Sequence, residues 1–126
     1  MSQFTESPCK GFTAGAALAK YLRVIRSSGK LAAAGIGDKE LGTLENATFA
    51  DGDSATVRLR SAAGTCKMVA SKAIAADAEV WTAASGKISD TGGTGAFLIG
   101  TALEAAGADG EVIEVLRMAH GDSAHA

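Results

Sequence analysis

The sequence predicts a small, mainly β domain built from two copies of one motif. Turn-forming residues punctuate the chain at intervals of roughly 8–12 residues, the rhythm of a sandwich or barrel rather than of a βαβ fold. The runs between the turns alternate apolar with polar side chains, as half-buried strands do. Whole blocks also recur: Ser28-Gly29-Lys30-Leu31 returns as Ser85-Gly86-Lys87-Ile88, and Ala50-Asp51-Gly52-Asp53 returns as Ala108-Asp109-Gly110-Glu111.

Met1 to Lys10 is polar, holds the only proline, Pro8, and has no period. Such a segment is either a frayed end or an arm that orders on a partner. Leu18, Tyr21, Leu22 and Ile25 stand at helical spacing, so a short helix competes with a strand there. Alanine, the best helix former, is abundant, but glycine interrupts the chain too often for long helices. Ser-Gly-Lys and Asp-Gly-acid are turn chemistry: glycine reaches positive φ cheaply and aspartate bonds its own nearby backbone. Between Ala55 and Arg60, Val57 and Leu59 face one way and Thr56, Arg58 and Arg60 the other. Thr65 to Ser71 sets Cys66, Met68 and Ala70 on one face. Val80-Trp81-Thr82 and Lys87-Ile88-Ser89 flank the Ser85-Gly86 turn as a hairpin. Phe97 to Leu103 and Val112 to Met118 are further strands, and Leu103 to Ala106 has room for one helical turn. Trp81, as a hairpin residue, suits packing in a core or an interface better than a ligand platform.

The last strand differs from the rest. Ile113 and Val115 match core positions of the first copy, yet Val112, Leu116 and Met118 make the opposite face apolar too. A two-sided apolar strand is either covered within the fold or lies at a subunit contact, and in so small a domain a contact is the expectation.

The repeat blocks sit 57 or 58 residues apart: Leu41-Gly42-Thr43 recurs as Ile99-Gly100-Thr101, and Val57 falls on Val115. Upstream, Phe12 to Leu18 echoes Ile74 to Val80 at a spacing of 62, which requires an insertion of about five residues early in the first copy. The chain therefore divides into an arm (1–10), one β domain (11–117, halves at about 12–60 and 66–117) and a tail (118–126).

Composition narrows the function. Hydrophobic residues make up 47% of the chain but aromatics only 5%, with Ala and Gly about a third. Small side chains bury little area each, so such a core is expected to gain from association. Net charge is −2 with both signs scattered, which disfavours nucleic acid as a partner. No apolar run reaches the length of a membrane span, and the first residues lack the order of a signal peptide, so a cytoplasm-like setting is expected. Cys9 and Cys66, far apart and outside any Cys/His cluster, are expected to be reduced thiols.

No catalytic constellation survives inspection. His120, Asp122 and Ser123 fall in the tail, without the convergent geometry a triad needs, and His120 with His125 is too sparse for a metal site. The Gly-Lys pairs lack the Walker pattern: Val24 and Leu31 stand where it needs Gly and Ser/Thr in one copy, Trp81 and Ile88 in the other. Gly35-Ile36-Gly37 and Gly93-Thr94-Gly95 do not complete a dinucleotide fingerprint. Asp51-Gly52-Asp53 begins like a calcium loop, but Ala55 and Ala62 remove essential oxygen ligands. The carboxylates of Glu40, Glu45, Asp77, Glu104 and Glu114 are spread over separate segments, with nothing in their spacing that favours acid–base work. The expectation is a structural binding protein with no enzymatic activity, no cofactor and no metal.

With these residues in view, the chain resembles the head decoration, or capsid cement, proteins of tailed bacteriophages. The resemblance runs through Ala73-Ile74-Ala75-Ala76-Asp77-Ala78-Glu79-Val80-Trp81, Ala83 to Ile88, Leu98 to Ala106, Asp109-Gly110-Glu111 and Val115-Leu116. Leu41 to Glu45 and Ala55 to Leu59 repeat the theme, and Leu22 to Gly64 is similar to the lambda-type head decoration protein. Together these segments cover residues 12–117. The resemblance implies a compact barrel-like or β-tulip-like fold that assembles as a homotrimer. It implies binding to the major capsid protein on the outer face of a mature icosahedral head, in a virion component made in the host cytoplasm. In lambda-type members an N-terminal arm reaches the shell, which makes Ser2, Gln3, Phe4, Thr5, Glu6, Ser7 and Pro8 the expected capsid-binding segment. Val112, Leu116 and Met118 are the expected oligomer interface. The extra residues around Ala19 to Arg23 and the tail after Arg117 depart from the pattern. A rival reading is a β-rich module of a tail or fibre that displays loops to a host surface or glycan, but the loops hold almost no aromatics. An enzyme subunit is the other rival, and it lacks a nucleophile, base or metal set.

Overall fold

The computed structural model describes residues 9–62 and 64–117. Ten strands occupy them: β1 (Cys9–Thr13), β2 (Arg23–Ser27), β3 (Lys30–Ala33), β4 (Gly42–Leu44), β5 (Ser54–Leu59), β6 (Thr65–Val69), β7 (Glu79–Thr82), β8 (Ile88–Ser89), β9 (Leu98–Ala102) and β10 (Val112–Arg117). The one helical element described is a 3-10 turn, Ala84–Gly86. They form two antiparallel five-stranded sheets, ordered β1-β5-β4-β2-β3 and β6-β10-β9-β7-β8. The second order is the first with every strand advanced by five, so the halves share one topology.

The fold is mainly β, a two-sheet, sandwich-like domain. Neither sheet closes into a barrel. Each curls until its edge strands meet at a single parallel bridge, Ala14 with Leu31 and Ala70 with Ile88, and the ladder stops there. Each sheet therefore wraps its own core. Ala14, Leu18, Val24, Leu31, Leu44, Ala55 and Val57 fill the first, and Cys66, Met68, Ala70, Ile74, Val80, Ile88, Ile99, Ala102, Ala106, Ile113 and Val115 fill the second. The larger of these side chains each contribute roughly 1.5–3 kcal/mol by burial.

The repeated blocks meet in space. Lys30 pairs with Asp51 and Lys87 with Asp109, both at 2.7 Å, so the Ser-Gly-Lys turn of each half touches its Asp-Gly turn. These exposed pairs add little stability. The turn glycines Gly29, Gly52, Gly86 and Gly110 all take positive φ, as do Ser28 and Ser85.

One sequence expectation is corrected, and two helical alternatives fall away. The early part of the repeat is offset by 56, not 62: the Leu18–Thr48 bridge matches Ile74–Ala106, and Tyr21 and Asp77 share a φ of 68° and equivalent hydrogen bonds to Leu44 and Ala102. No five-residue insertion exists in the first half. Instead the second half gains one residue in the β7–β8 turn and one more before β9, moving the offset from 56 to 57 and then 58. The helical spacing of Leu18 to Ile25 gives no helix either. Leu18 is pinned by its bridge, Tyr21 turns the chain at positive φ, and Arg23 starts β2. Leu103 to Ala106 likewise forms no helical turn.

Candidate interaction surface

The two halves are joined by a buried arginine. Arg23, at the start of β2, is fully buried. Its Nε donates to the Lys87 carbonyl (3.0 Å), Nη2 to the carbonyls of Ala83 (2.6 Å) and Gly35 (3.2 Å), and Nη1 to the Asp38 carbonyl (3.3 Å) and Glu40 Oε1 (3.3 Å). Ala83 and Lys87 belong to the β7–β8 hairpin, so one guanidinium ties the second half to the first. The Gly86 N–H, donating to Ala34 O, and the Thr82 hydroxyl, donating to Ile36 O, reinforce the seam. Glu40, also fully buried, lies 3.5 Å from Arg117 Nη2 on its other oxygen. Burial pulls the Arg23 guanidinium below its ordinary value, and Glu40 opposes that pull. The equivalent of Arg23 in the second half is Glu79, which is exposed, so the junction is not part of the repeat.

This junction fixes which faces the domain presents. On β10, Ile113 and Val115 point into the core, while Val112 and Leu116 stand outward, 42% and 50% exposed. Leu103, 41% exposed, lies beside them, its N–H donating to Glu114 O. The result is an apolar strip around Glu114. The corresponding positions in the first half, Ser54, Arg58 and Glu45, are polar.

The first half has its own apolar feature. Phe49, 83% exposed, stands on the β4–β5 loop. That loop is held: Asp53 Oδ2 accepts from the N–H groups of Phe49 (2.8 Å) and Ala50 (3.1 Å). Asn46 clamps Thr56 N–H and Ser54 O, and Thr48 bridges Leu18. The second half repeats the device with Glu111 accepting from Gly107 and Ala108, but with glycine where Phe49 stands.

The model of a family described as phage cement protein matches residues 24–117. The chain belongs to that family. Membership makes it a component associated with the phage capsid. No curated protein matches the chain.

In this cement protein the expected site residues fall in different places. Val112 and Leu116 share the outward face of β10. Met118 and Ser2 to Pro8 lie outside the described residues, as do His120, Asp122, Ser123 and His125. Glu104 Oε1 accepts from the Glu114 backbone N–H at 2.7 Å. Among the described residues no group of three or more His, Cys, Asp or Glu is placed to hold a metal ion. No described helix is long and apolar enough to cross a membrane. Between the sheets, Tyr21, Glu45, Arg58, Thr65, Cys66, Lys67 and Glu114 line an open cleft of about 350 Å³. Burial raises the Cys66 thiol above its ordinary value, with Arg117 pulling the other way.

Sequence reasoning missed Arg23 and Phe49, and took Glu40 only as one of several scattered carboxylates. Nothing in sequence distinguishes Arg23 from a solvated charge. Phe49 carried a readable signal: a large aromatic beside a turn where the other copy has glycine.

Proposed function

We propose that this protein is a non-enzymatic cement that binds the outer face of a mature icosahedral phage head, contacts the major capsid protein and braces it as a homotrimer. The family match over residues 24–117 carries this reading. The apolar strip of Val112 and Leu116 supports self-association, because exposed apolar side chains grouped on one strand mark contact surfaces. The N-terminal segment Ser2 to Pro8 reaches the shell.

The mechanism is linkage. A ligand that binds only the mature lattice lowers that state's free energy by RT ln(1 + [L]/Kd) at each site, so the lattice resists disassembly in proportion to occupancy. No group needs to react. The test mixes purified protein with expanded and unexpanded empty shells, counts bound copies and measures the heat needed to disrupt each shell. Saturable binding to expanded shells with a raised disruption temperature is expected. Equal binding to both shells, or binding without stabilisation, overturns the reading.

A further inference from the structure

The first half carries an open cleft of about 460 Å³, a volume within the range of ligand sites. Half-buried Ile25 and Leu41 supply its apolar lining, and exposed Arg26, Lys39 and Arg60 supply its cations. The two carboxylates that share the lining are engaged inward. Asp38 Oδ2 accepts from the Gly35 N–H (2.8 Å), and fully buried Glu40 lies between Arg23 and Arg117. Among the described residues none of the three cations forms an ion pair. Arg26 and Lys39 rest on the Phe12 and Phe97 rings, 5.8 and 4.9 Å from their centroids, which holds them in place without cancelling their charge.

The fold does not require these charges, because the second half is built without two of them. Arg26 corresponds to Thr82, each facing the apolar residue of its hairpin partner, Leu31 or Ile88. Lys39 corresponds to Phe97, each following a matching turn, closed by Asp38 N–H to Gly35 O and by Ala96 N–H to Gly93 O. In a chain of net charge −2, positive charge is gathered where the duplicate has a hydroxyl and a ring.

We infer that this cleft receives an acidic segment of the capsid shell, a stretch in which carboxylates flank an apolar side chain. The carboxylates answer Arg26, Lys39 and Arg60, and the apolar group covers Ile25 and Leu41. A phosphate group would meet the cations but leave the apolar lining wet. A second copy of the chain is a poor source of the acid, because most described carboxylates are already engaged within their own molecule. Lysines hold Asp51, Asp90 and Asp109, and backbone N–H groups hold Asp53, Glu104 and Glu111. The inference rests on the reading of the protein as a capsid cement and names a place on the β body where the shell is gripped.

Exposed charges of this kind act on encounter and on salt dependence, so the test reads both. Purified protein is titrated onto expanded shells at several salt concentrations. A chain carrying Lys39→Glu and Arg60→Glu is expected to bind roughly tenfold or more weakly and to lose most of the salt dependence of the wild type. Its thermal unfolding is expected to stay nearly unchanged, since neither side chain is buried or ion-paired. Lys39→Gln with Arg60→Gln, which removes charge without adding acid, is expected to give a smaller loss in the same direction. Lys20→Glu with Lys67→Glu makes the same charge change outside the cleft and is expected to bind as the wild type does. A blocked Asp-Leu-Asp peptide is expected to compete with the shell, and inorganic phosphate at equal ionic strength is not. Wild-type affinity in the reversed chain, or an equal loss in the Lys20/Lys67 control, overturns the cleft and leaves the cement reading standing. Competition by phosphate as strong as by the peptide overturns the acidic segment in favour of a phosphate group. A reversed chain that loses self-association yet keeps its shell affinity also overturns it, assigning the cleft to a contact between copies. A wild type that binds no shell overturns the cement reading itself.

Discussion

Gly42 and Gly100 occupy the same place in the two sheets, each pressed against a backbone carbonyl of the neighbouring strand: Arg58 O in the first, Leu116 O in the second. A Cβ at either position would overlap that oxygen, and the oxygen belongs to a paired strand that cannot retreat.

Alanine at Gly42 or Gly100 is therefore expected to cost roughly 3 kcal/mol, the upper range for overpacking. Gly52 and Gly110 provide the contrast. They take φ of +96° and +92° in open space, so alanine there meets backbone strain alone, about 1–2 kcal/mol. Urea unfolding of the four variants checks the order.

The Arg23–Glu40 junction predicts strong coupling. Replacing Arg23 by Leu strips a donor from the buried Ala83 carbonyl and from three part-buried ones, and replacing Glu40 by Leu leaves two guanidinium groups buried without their counter-charge. Each is expected to cost about 3–5 kcal/mol, since breaking a buried pair strands its partner. The double variant is expected to lose less than the sum. A double-mutant cycle in urea measures the difference, and additive losses would contradict the coupling.

How much of this was legible in the sequence depended on whether the signal was local. The alternation from Ala55 to Leu59 is a backbone pattern in itself, and it became β5 with Ala55 and Val57 buried. The turn at Ser28-Gly29 is equally local. By contrast, the early repeat register rests on Leu18 pairing with Thr48 and on Tyr21 adopting positive φ, neither of which an Ala-rich string encodes visibly. Tertiary pairing there overrode a helical spacing that four side chains supported. The junction was illegible for the same reason: Arg23, Glu40 and Arg117 are brought together by topology. The outward face of β10 was readable because it breaks the alternation that its own neighbours keep.

The raised Cys66 thiol predicts a pH dependence. The folded state holds the thiol proton more tightly than the unfolded chain does, so stability from this group is complete below the ordinary thiol value of about 8.5. It falls as pH rises from that value toward the raised one, because the unfolded state then binds fewer protons. The stability of the wild type relative to Cys66→Ala is expected to decline as pH rises above the ordinary thiol value of about 8.5. Urea titrations of both proteins on either side of that value check it, and a constant difference would contradict it.

The N-terminal segment is expected to matter for binding rather than for folding. Ser2 to Pro8 lies outside the described residues and holds one apolar side chain, Phe4, in a polar stretch. It precedes β1, which sits at the edge of its sheet and pairs with β5 alone in the ladder. Among the described residues, neither hydrophobic cluster draws a side chain from before Phe12. Pro8 biases the local chain toward extended shapes, which suits a segment that lies in a groove or adds to a sheet edge. Burying the Phe4 ring on the capsid would contribute roughly 1.5–3 kcal/mol, or about ten- to a hundredfold in affinity. Deleting Ser2 to Pro8 is thus expected to leave thermal unfolding nearly unchanged while lowering capsid occupancy at least about tenfold. Phe4→Ala alone should reproduce most of that loss. Full occupancy by the truncated protein would move the capsid contact onto the β body.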